Sequence, residues 1–532
     1  MLPAKPKDLQ LALNRITFGA RDFDVQSVES LGWATWVDAQ IQPPDGDEPA
    51  LDAHIKAQTM PIKYSAANPM SNGTWEAVDE DRPLLYLDAD IETLWQVAKQ
   101  AGKTISFQER FRVQQELAAA TWIRNAHSQY QLREFMADFW HNHFNIGKAE
   151  NQLATTLLPA YDREAIRPHV FGNFRTMLEA NATSPSMLMY LDNWVSNAET
   201  PNENYAREIM ELHTLGEDAY LGVGGDGAVE LASNGVAVGF TDQDVIEASK
   251  ALSGWTIEFG QRFGGQAMPS TGKFTFNAFQ HNTTASKVLG IDLSGLSGMA
   301  QGQKFLEIIA THPATATFIC TKLCKRIFGD APPQAAIDRA TETWLANTEA
   351  PDQIGRVLQS ILVDGDEIFT VPATKIRRPY ERLMALSRTT YTTVNAATYM
   401  TLALDPLNDG LFAWQAPNGR PDVNGYWLAA GATLTTWNFL MTLPNLPEFS
   451  ASFDAQTPTA AASSATGVVE YWVGRMLGFE PNAAVMNALI VDQAGPYGVP
   501  FQRNIPNNAE NIELVYRRLV SLIATSEEFA YR

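Results

Sequence analysis

"FQERFRVQQELAAATWIRNA", residues 107 to 126, places apolar side chains three and four positions apart along its length. That is the period of a helix with one face turned to a core. The same rhythm runs through "DLQLALNRI", "DVQSVESLGWATWVDAQI", "TLWQVAKQA" and "REFMADFWHNHF", and returns after residue 300 in "GQKFLEIIATHPATATFICTKLCKRIFGD", "AAIDRATETWLAN" and "DQIGRVLQSILVDGDEIF". The fold class expected is mainly α: a large multi-helix globular body with a small β-hairpin element and long loops.

The interruptions set the organisation. Residues 59–84 are rich in Pro, Asn, Ser and acids and read as a surface excursion. Residues 216–241 hold seven glycines and read as a Gly-rich loop. Helix signals resume at "TDQD", where Asp244 stands three residues after a capping Thr241. Residues 255–280, with "WTIEF" and "GKFTFNAF", alternate apolar and polar side chains around a Gly-rich connection, the pattern of a β-hairpin. Residues 1–452 are expected to form one helical domain. The low-complexity stretch 453–470 should be a flexible connector to C-terminal helices, 471–532, packed on the main body.

At 532 residues with 45% hydrophobic and 19% charged side chains, 13 Trp and 26 Phe, the chain can bury a large core. A formal net charge of −21 disfavours nucleic acid or anionic lipid as partners of a generic basic surface. No apolar run reaches the roughly 18 residues of a membrane span, and the first residues lack a cationic segment followed by an apolar core. Either the protein is cytosolic or Met1 replaces a removed export signal. Cys320 and Cys324 lie one helical turn apart, a spacing unsuited to a disulfide, and read as small buried residues.

The stretch "DFWHNHFNIG", residues 138–147, puts two of only eight histidines two positions apart. On a helix His141 and His143 diverge; on an extended segment they share a side. With two Asn and a Gly following, a helix ending at about Trp140 is expected, and in that geometry the pair suits zinc, copper or iron.

"NENYAREIMELHTLG", residues 202–216, reads as a helix capped by Asn202 and stopped by Gly216. Arg207 lies four residues from Glu203 and from Glu211 and can pair with either. Glu208 has no basic partner on its helix and shares a face with Tyr205, Leu212 and Leu215, so it is the leading candidate for an acid/base or ligand role, against a buried structural ion pair. His213 is about 140° further round an ideal helix and meets Glu208 only if the last turn unwinds. His281 follows the hairpin, whereas His312, between Thr311 and Pro313, suits a helix start. "WQAPNGRPDVNGYW", residues 414–427, suits sugars or peptide chains and equally a loop packed on the helical body. "KIRRPYER", residues 375–382, is the one dense basic cluster and should answer acidic neighbours, Glu208 among the candidates. No P-loop, dinucleotide fingerprint, HExxH or GxSxG elbow is present.

The segments "LNRITFGAR", "FWHNHFN", "MLMYLDN", "NENYAREIMELHTLGEDAY", "DVIEASKALSGWTI", "HPATATFICTKLCKRI" and "KIRRPYE", in that order, together with the ending "LIATSEEFAYR", resemble the bacterial domain-of-unknown-function family 1800. The resemblance implies a large helical protein, commonly exported. Its shared polar positions fall here on Trp140, His141, Asn142, His143, Asp192, Asn193, Asn202, Glu203, Asn204, Arg207, Glu208, Glu211, His213, Asp244, Trp255, His281 and Lys287. Where the family tends to have His-Asp, this chain has His281 and Asn282, which removes a charge. The Gly-rich stretch after Gly216 is longer than the family's.

Two readings follow. In one, the chain is an exported enzyme, a hydrolase first and an oxidoreductase second, acting on an extracellular polymer or glycan. Glu208 and His213 would be catalytic, and His141, His143, Glu208 and His281 would bind one divalent metal (Zn, Cu, Fe or Ca). Trp255, Trp414, Asn418 and Arg207 would contact substrate. In the other, it is a non-catalytic cell-surface or assembly protein, open to self-association, whose histidines, glutamates and arginines form a buried structural network.

Overall fold

The computed structural model describes residues 8–68, 73–147, 152–223, 229–232, 235–263, 266–401, 409–446, 453, 464–494 and 509–532. Helices dominate, and their ends follow the sequence. Asp90 caps Ile91–Gln100 by accepting from the Thr93 amide, and Ser106 caps Phe107–His127 by accepting from the Gln108 amide. Thr241 and Asp244 close a reciprocal capping box on Asp242–Leu252. Pro313 and Pro379 each open a helix at the position where their missing N–H costs nothing.

One contiguous apolar core joins these helices, with Trp122, Trp140, Trp344 and Trp472 all fully buried within it. Cys320 and Cys324 are free and lie in this core. Burial pushes both thiols up, Cys324 to about 12, so they act as small apolar residues. Among the described residues no helix is long and apolar enough to cross a membrane.

The sheets are all two-stranded and antiparallel. Trp255–Phe259 pairs with Ser270–Phe276, and a shorter pair, Arg262–Phe263 with Gln266–Ala267, lies between them. Trp255, Thr256 and Ile257 of this hairpin are all fully buried, Thr256 with its hydroxyl donating to the Trp194 carbonyl at 2.6 Å. The 59–84 surface excursion contains a ribbon of Thr59–Tyr64 against Val78–Pro83, beginning with Thr59 opposite Pro83. Met60 and Ile62 carry the inward alternation, while the partner strand "VDEDRP" has almost no apolar pattern and is held by Arg112, which donates to the carbonyls of Met60, Arg82 and Pro83.

The expected 216–241 loop is pinned at both ends, by a bridge between Tyr220 and Phe240 and another between Leu231 and Ala237; residues 224–228 and 233–234 lie outside the described residues. Of the 453–470 stretch, residues 454–463 lie outside them too. Its last six residues are not a connector but the start of the Ala465–Leu477 helix, which Ser464 caps. The C-terminal segment returns to the body: Ile376 bridges to Tyr531, and the Arg532 guanidinium donates to the Arg15 carbonyl at 2.6 Å.

Candidate functional site

The Gln131–His143 helix does not end at Trp140 but runs a turn further, closing with a bond from the Phe144 amide to the Trp140 carbonyl at 2.9 Å. Its extension is driven by burial, since Phe139, Trp140, His143 and Phe144 all pack into the core. Two positions on an α-helix lie about 200° apart, so the imidazoles diverge instead of sharing a side. His141 Nε2 meets Asp162 Oδ1 at 2.8 Å. His143 Nε2 donates to the His213 carbonyl at 3.0 Å, and its Nδ1 faces Lys322 Nζ at 2.9 Å. A carbonyl can only accept, so the proton sits on Nε2, and Nδ1 accepts from the ammonium.

The two asparagines of "HNHFN" staple the 414–420 loop to this helix end. Asn142 Oδ1 accepts from the Arg420 amide at 2.7 Å and its Nδ2 donates to the Arg420 carbonyl at 3.1 Å. Asn145 Nδ2 donates to the carbonyls of Trp414 and Ala416 at 3.1 and 2.7 Å. Gly419 is required here, because it has φ +74° and a Cβ on it would sit 2.1 Å from the Asn142 carbonyl oxygen. The "WQAPNGRPDVNGYW" stretch is thus a docked loop that ends in a short helix, Asn424–Trp427.

The second motif departs from expectation in its faces. The helix covers Glu203–Glu211, and its buried stripe is Tyr205, Ala206, Ile209 and Met210. Because the helix stops at Glu211, Leu212 and Leu215 do not extend a stripe through Glu208, which is only half-buried. Desolvation and the neighbouring Glu211 push the Glu208 carboxyl up, and no ion pair answers it among the described residues. Arg207 turns away from Glu203 and Glu211 to bind Asp242 at 3.0 Å, an oxygen that also accepts from the Tyr220 hydroxyl.

His213 goes into the core instead, its ring centroid 6.1 Å from that of His143. Burial, with the Lys322 charge second, pushes it down to about 3, and its buried Nε2 has no hydrogen-bond partner among the described residues. His281 is buried elsewhere, its ring nitrogens bonded to the Ser253 carbonyl and Gln301 Oε1, both at 2.9 Å. Asn282 donates to the Ala198 carbonyl at 2.8 Å, a bond that an ionised Asp there could not make.

The proposed ligands His141, His143, Glu208 and His281 are therefore not brought together. Among the described residues no three His, Cys, Asp or Glu side chains are grouped to hold a metal ion. The substrate set also scatters. Trp255 is fully buried in the core, Arg207 is taken by Asp242, Asn418 is exposed, and Trp414 lines a small cavity beside His141.

Two ion-pair clusters that the motifs did not single out flank the Gln131–His143 helix. On one side Asp138, fully buried, receives Arg378 at 2.7 Å and Arg326 and Arg420 at 3.0 Å each. Although burial pushes its carboxyl up, Arg378, Arg420 and Arg326 together hold it below its ordinary value. The "KIRRPYER" cluster answers this acid, Asp409, Glu381 and Asp422, not Glu208. Arg377 instead binds the Phe529 carbonyl at 2.6 Å.

On the other side Glu134 and Asp162 share Arg167, each at 2.9 Å, and Arg124 grips Asp47 at 2.9 Å. Burial pushes the Asp162 carboxyl up, but Arg167 and the His141 bond outweigh it and hold the group well below the usual carboxylate range. Asp138 was accessible to the reasoning applied to Glu208, being an acid between Phe135 and Phe139 on a buried helix. Asp162 was not, because it opens a single π-turn, Asp162–Ile166, with no periodic signature.

Asp162 and Arg167 form the floor of a cleft of about 640 Å³. Arg124, Arg133, Asp47 and Arg163 add polar groups, and Pro44, Leu84, Leu87, Pro168 and Phe171 form apolar walls. Behind the floor, a cavity of about 20 Å³ beside His141, Asp138 and Arg420 has room for one water. Phe412 leans edge-on against His141 there, 5.0 Å between centroids, from a left-handed backbone of φ +58°.

No curated protein and no solved structure matches the chain. A family model does match, over residues 11–531 and so across nearly the whole length, and the chain belongs to that family, described as "Protein of unknown function (DUF1800)".

Proposed function

We propose that the chain is a non-catalytic binding protein for an extracellular polymer, with a glycan segment as the ligand of the cleft, and that its histidine and arginine networks serve helix packing. The lining of the cleft carries this reading. Its volume of about 640 Å³ lies inside the range of roughly 300–1,000 Å³ typical of small-ligand sites. Guanidinium and carboxylate groups on the floor match vicinal hydroxyls, and the proline and leucine walls suit the apolar face of a sugar ring. The acidic exterior and the export common in the family support an extracellular location.

The histidines support a structural role, since His141, His143 and His281 are each bonded to protein groups. A second reading has one observation in its favour. Glu208 is half-buried, its carboxyl is pushed up by desolvation and Glu211, and it has no ion pair among the described residues, which suits a general acid.

Calorimetric titration of neutral and acidic oligosaccharides tests both readings, comparing wild type with Leu87→Trp, which fills the cleft, and with Glu208→Gln. Binding lost in Leu87→Trp, kept in Glu208→Gln and leaving the oligosaccharide uncut is the expected result. Affinity indifferent to Leu87→Trp would rule out the cleft. Cleavage by wild type that vanishes in folded Glu208→Gln would establish the enzymatic reading instead.

A further inference from the structure

A second cavity, of about 190 Å³, opens on the opposite side of the Gln131–His143 helix, against the Pro313–Phe328 helix and the 420–423 loop. Lys322, Lys325, Arg326, Arg378 and Arg420 line it, against two carboxylates, Asp138 and Asp422. In a chain of formal net charge −21 this is a local reversal of sign.

The carboxylates are already engaged. Asp138 is surrounded by Arg326, Arg378 and Arg420, and Asp422 lies 2.7 Å from Lys375 Nζ. Lys322 has no carboxylate within ion-pair distance among the described residues. Its Nζ donates to His143 Nδ1 at 2.9 Å, and that acceptor is fixed because His143 Nε2 is committed to the His213 carbonyl at 3.0 Å. An ammonium has three N–H donors; Lys322 Nζ also lies over the Phe318 ring at 5.2 Å, and among the described residues no oxygen accepts its other two N–H groups. A cavity lined by more cations than acids, with an ammonium held in one orientation at its edge, has the composition of an anion receptor.

We propose that this cavity binds a single oxyanion group, a carboxylate, sulfate or phosphate, with Lys322 as its principal contact and His143 as the positioning residue. The site is independent of the glycan cleft, with which it shares no lining residue. Burial pushes the Lys322 ammonium down to about 8, so a bound anion should also draw it back toward full protonation.

The test titrates sulfate, phosphate and glucuronate at constant ionic strength, made up with chloride, into wild type and Lys322→Gln, read by calorimetry and thermal shift. Saturable binding to wild type, weaker by about tenfold or more in Lys322→Gln, is expected, because one charge-assisted hydrogen bond is lost. A response confined to glucuronate would assign the site to an acidic sugar; one to sulfate or phosphate would assign it to the free ion. Wild type that binds none of the three, or Lys322→Gln that binds as well as wild type, overturns the proposal. If Lys322→Gln does not fold, Val423→Trp at the exposed edge of the cavity replaces it. Lost binding then supports the site and retained binding rejects it.

Discussion

His141 and His143 stand two residues apart on one helix and meet opposite electrostatic surroundings. His141 is bonded to a carboxylate, Asp162, on the side of the large cleft, where acids and bases are matched pair by pair. His143 is bonded to an ammonium, Lys322, on the side where cations outnumber acids. The HxH spacing here separates two environments across a helix and does not gather two donors for one ion. The helix acts as a partition, and its Arg133, Glu134, Asp138, His141, Asn142 and His143 serve whichever compartment they face.

The most disruptive way to break this comparison is at Asp138, the acid common to three buried guanidinium groups. Asp138→Ala should lower unfolding free energy by about 3–5 kcal/mol, since it leaves uncompensated buried charge. Urea denaturation measures the loss; a change under about 1 kcal/mol would show that Asp409 and Glu381 neutralise the cluster without it.

A smaller effect separates the histidines themselves. His143→Ala should cost about 2–4 kcal/mol, because it opens a cavity in the core and strands Lys322, whereas His141→Ala, with its ring less enclosed, should cost about 1–2 kcal/mol. Equal costs would erase the asymmetry.

The smallest effect is in pH dependence. His213 is held neutral in the fold, pushed down to about 3 by burial and then by Lys322. A base whose folded pKa is depressed contributes stability that is fully present above its unfolded pKa of about 6.5 and is lost as pH falls from there toward the folded value. Asp162, a depressed carboxylate, loses its contribution only below its unfolded pKa of about 3.9. Thermal melts between pH 7 and about 4.5 should therefore be shallower in His213→Gln, with His143, His127, His169 and His312, also pushed down by burial, keeping part of the slope, and should stay parallel to wild type in Asp162→Asn. The reverse assignment of slopes would place the titrating group on the cleft side.

Much of the helical fold was legible because burial at period 3.6 writes itself into apolar spacing, as in the Phe107–His127 helix, and because caps such as Thr241 with Asp244 mark the ends. The Trp255–Phe276 hairpin was legible from apolar and polar alternation around a Gly-rich connection, although Thr256 is buried along with Trp255 and Ile257. The ribbon at Thr59–Tyr64 was not, because its partner strand is charged and is held by Arg112 through backbone carbonyls, a contact across 52 residues for Met60.

The site was harder to read. The buried face read for Glu208 rests on a helix continued through Leu212 and Leu215, and the meeting with His213 on an unwound last turn; the helix does stop at Glu211, but that end turns His213 into the core and leaves Glu208 half-buried. Lys322 and Asp162 gain their meaning only from partners more than twenty residues away or in another element, and no local pattern encodes that.

The Arg532 guanidinium on the Arg15 carbonyl joins groups 517 positions apart in sequence. During synthesis on the ribosome, the Asp8–Ile16 helix emerges with these neighbours still untranslated, and the contact cannot close until the 517 positions between them have been added. The clasp therefore closes late, and until it does the Asp8–Ile16 helix lacks a neighbour that covers its end in the finished fold.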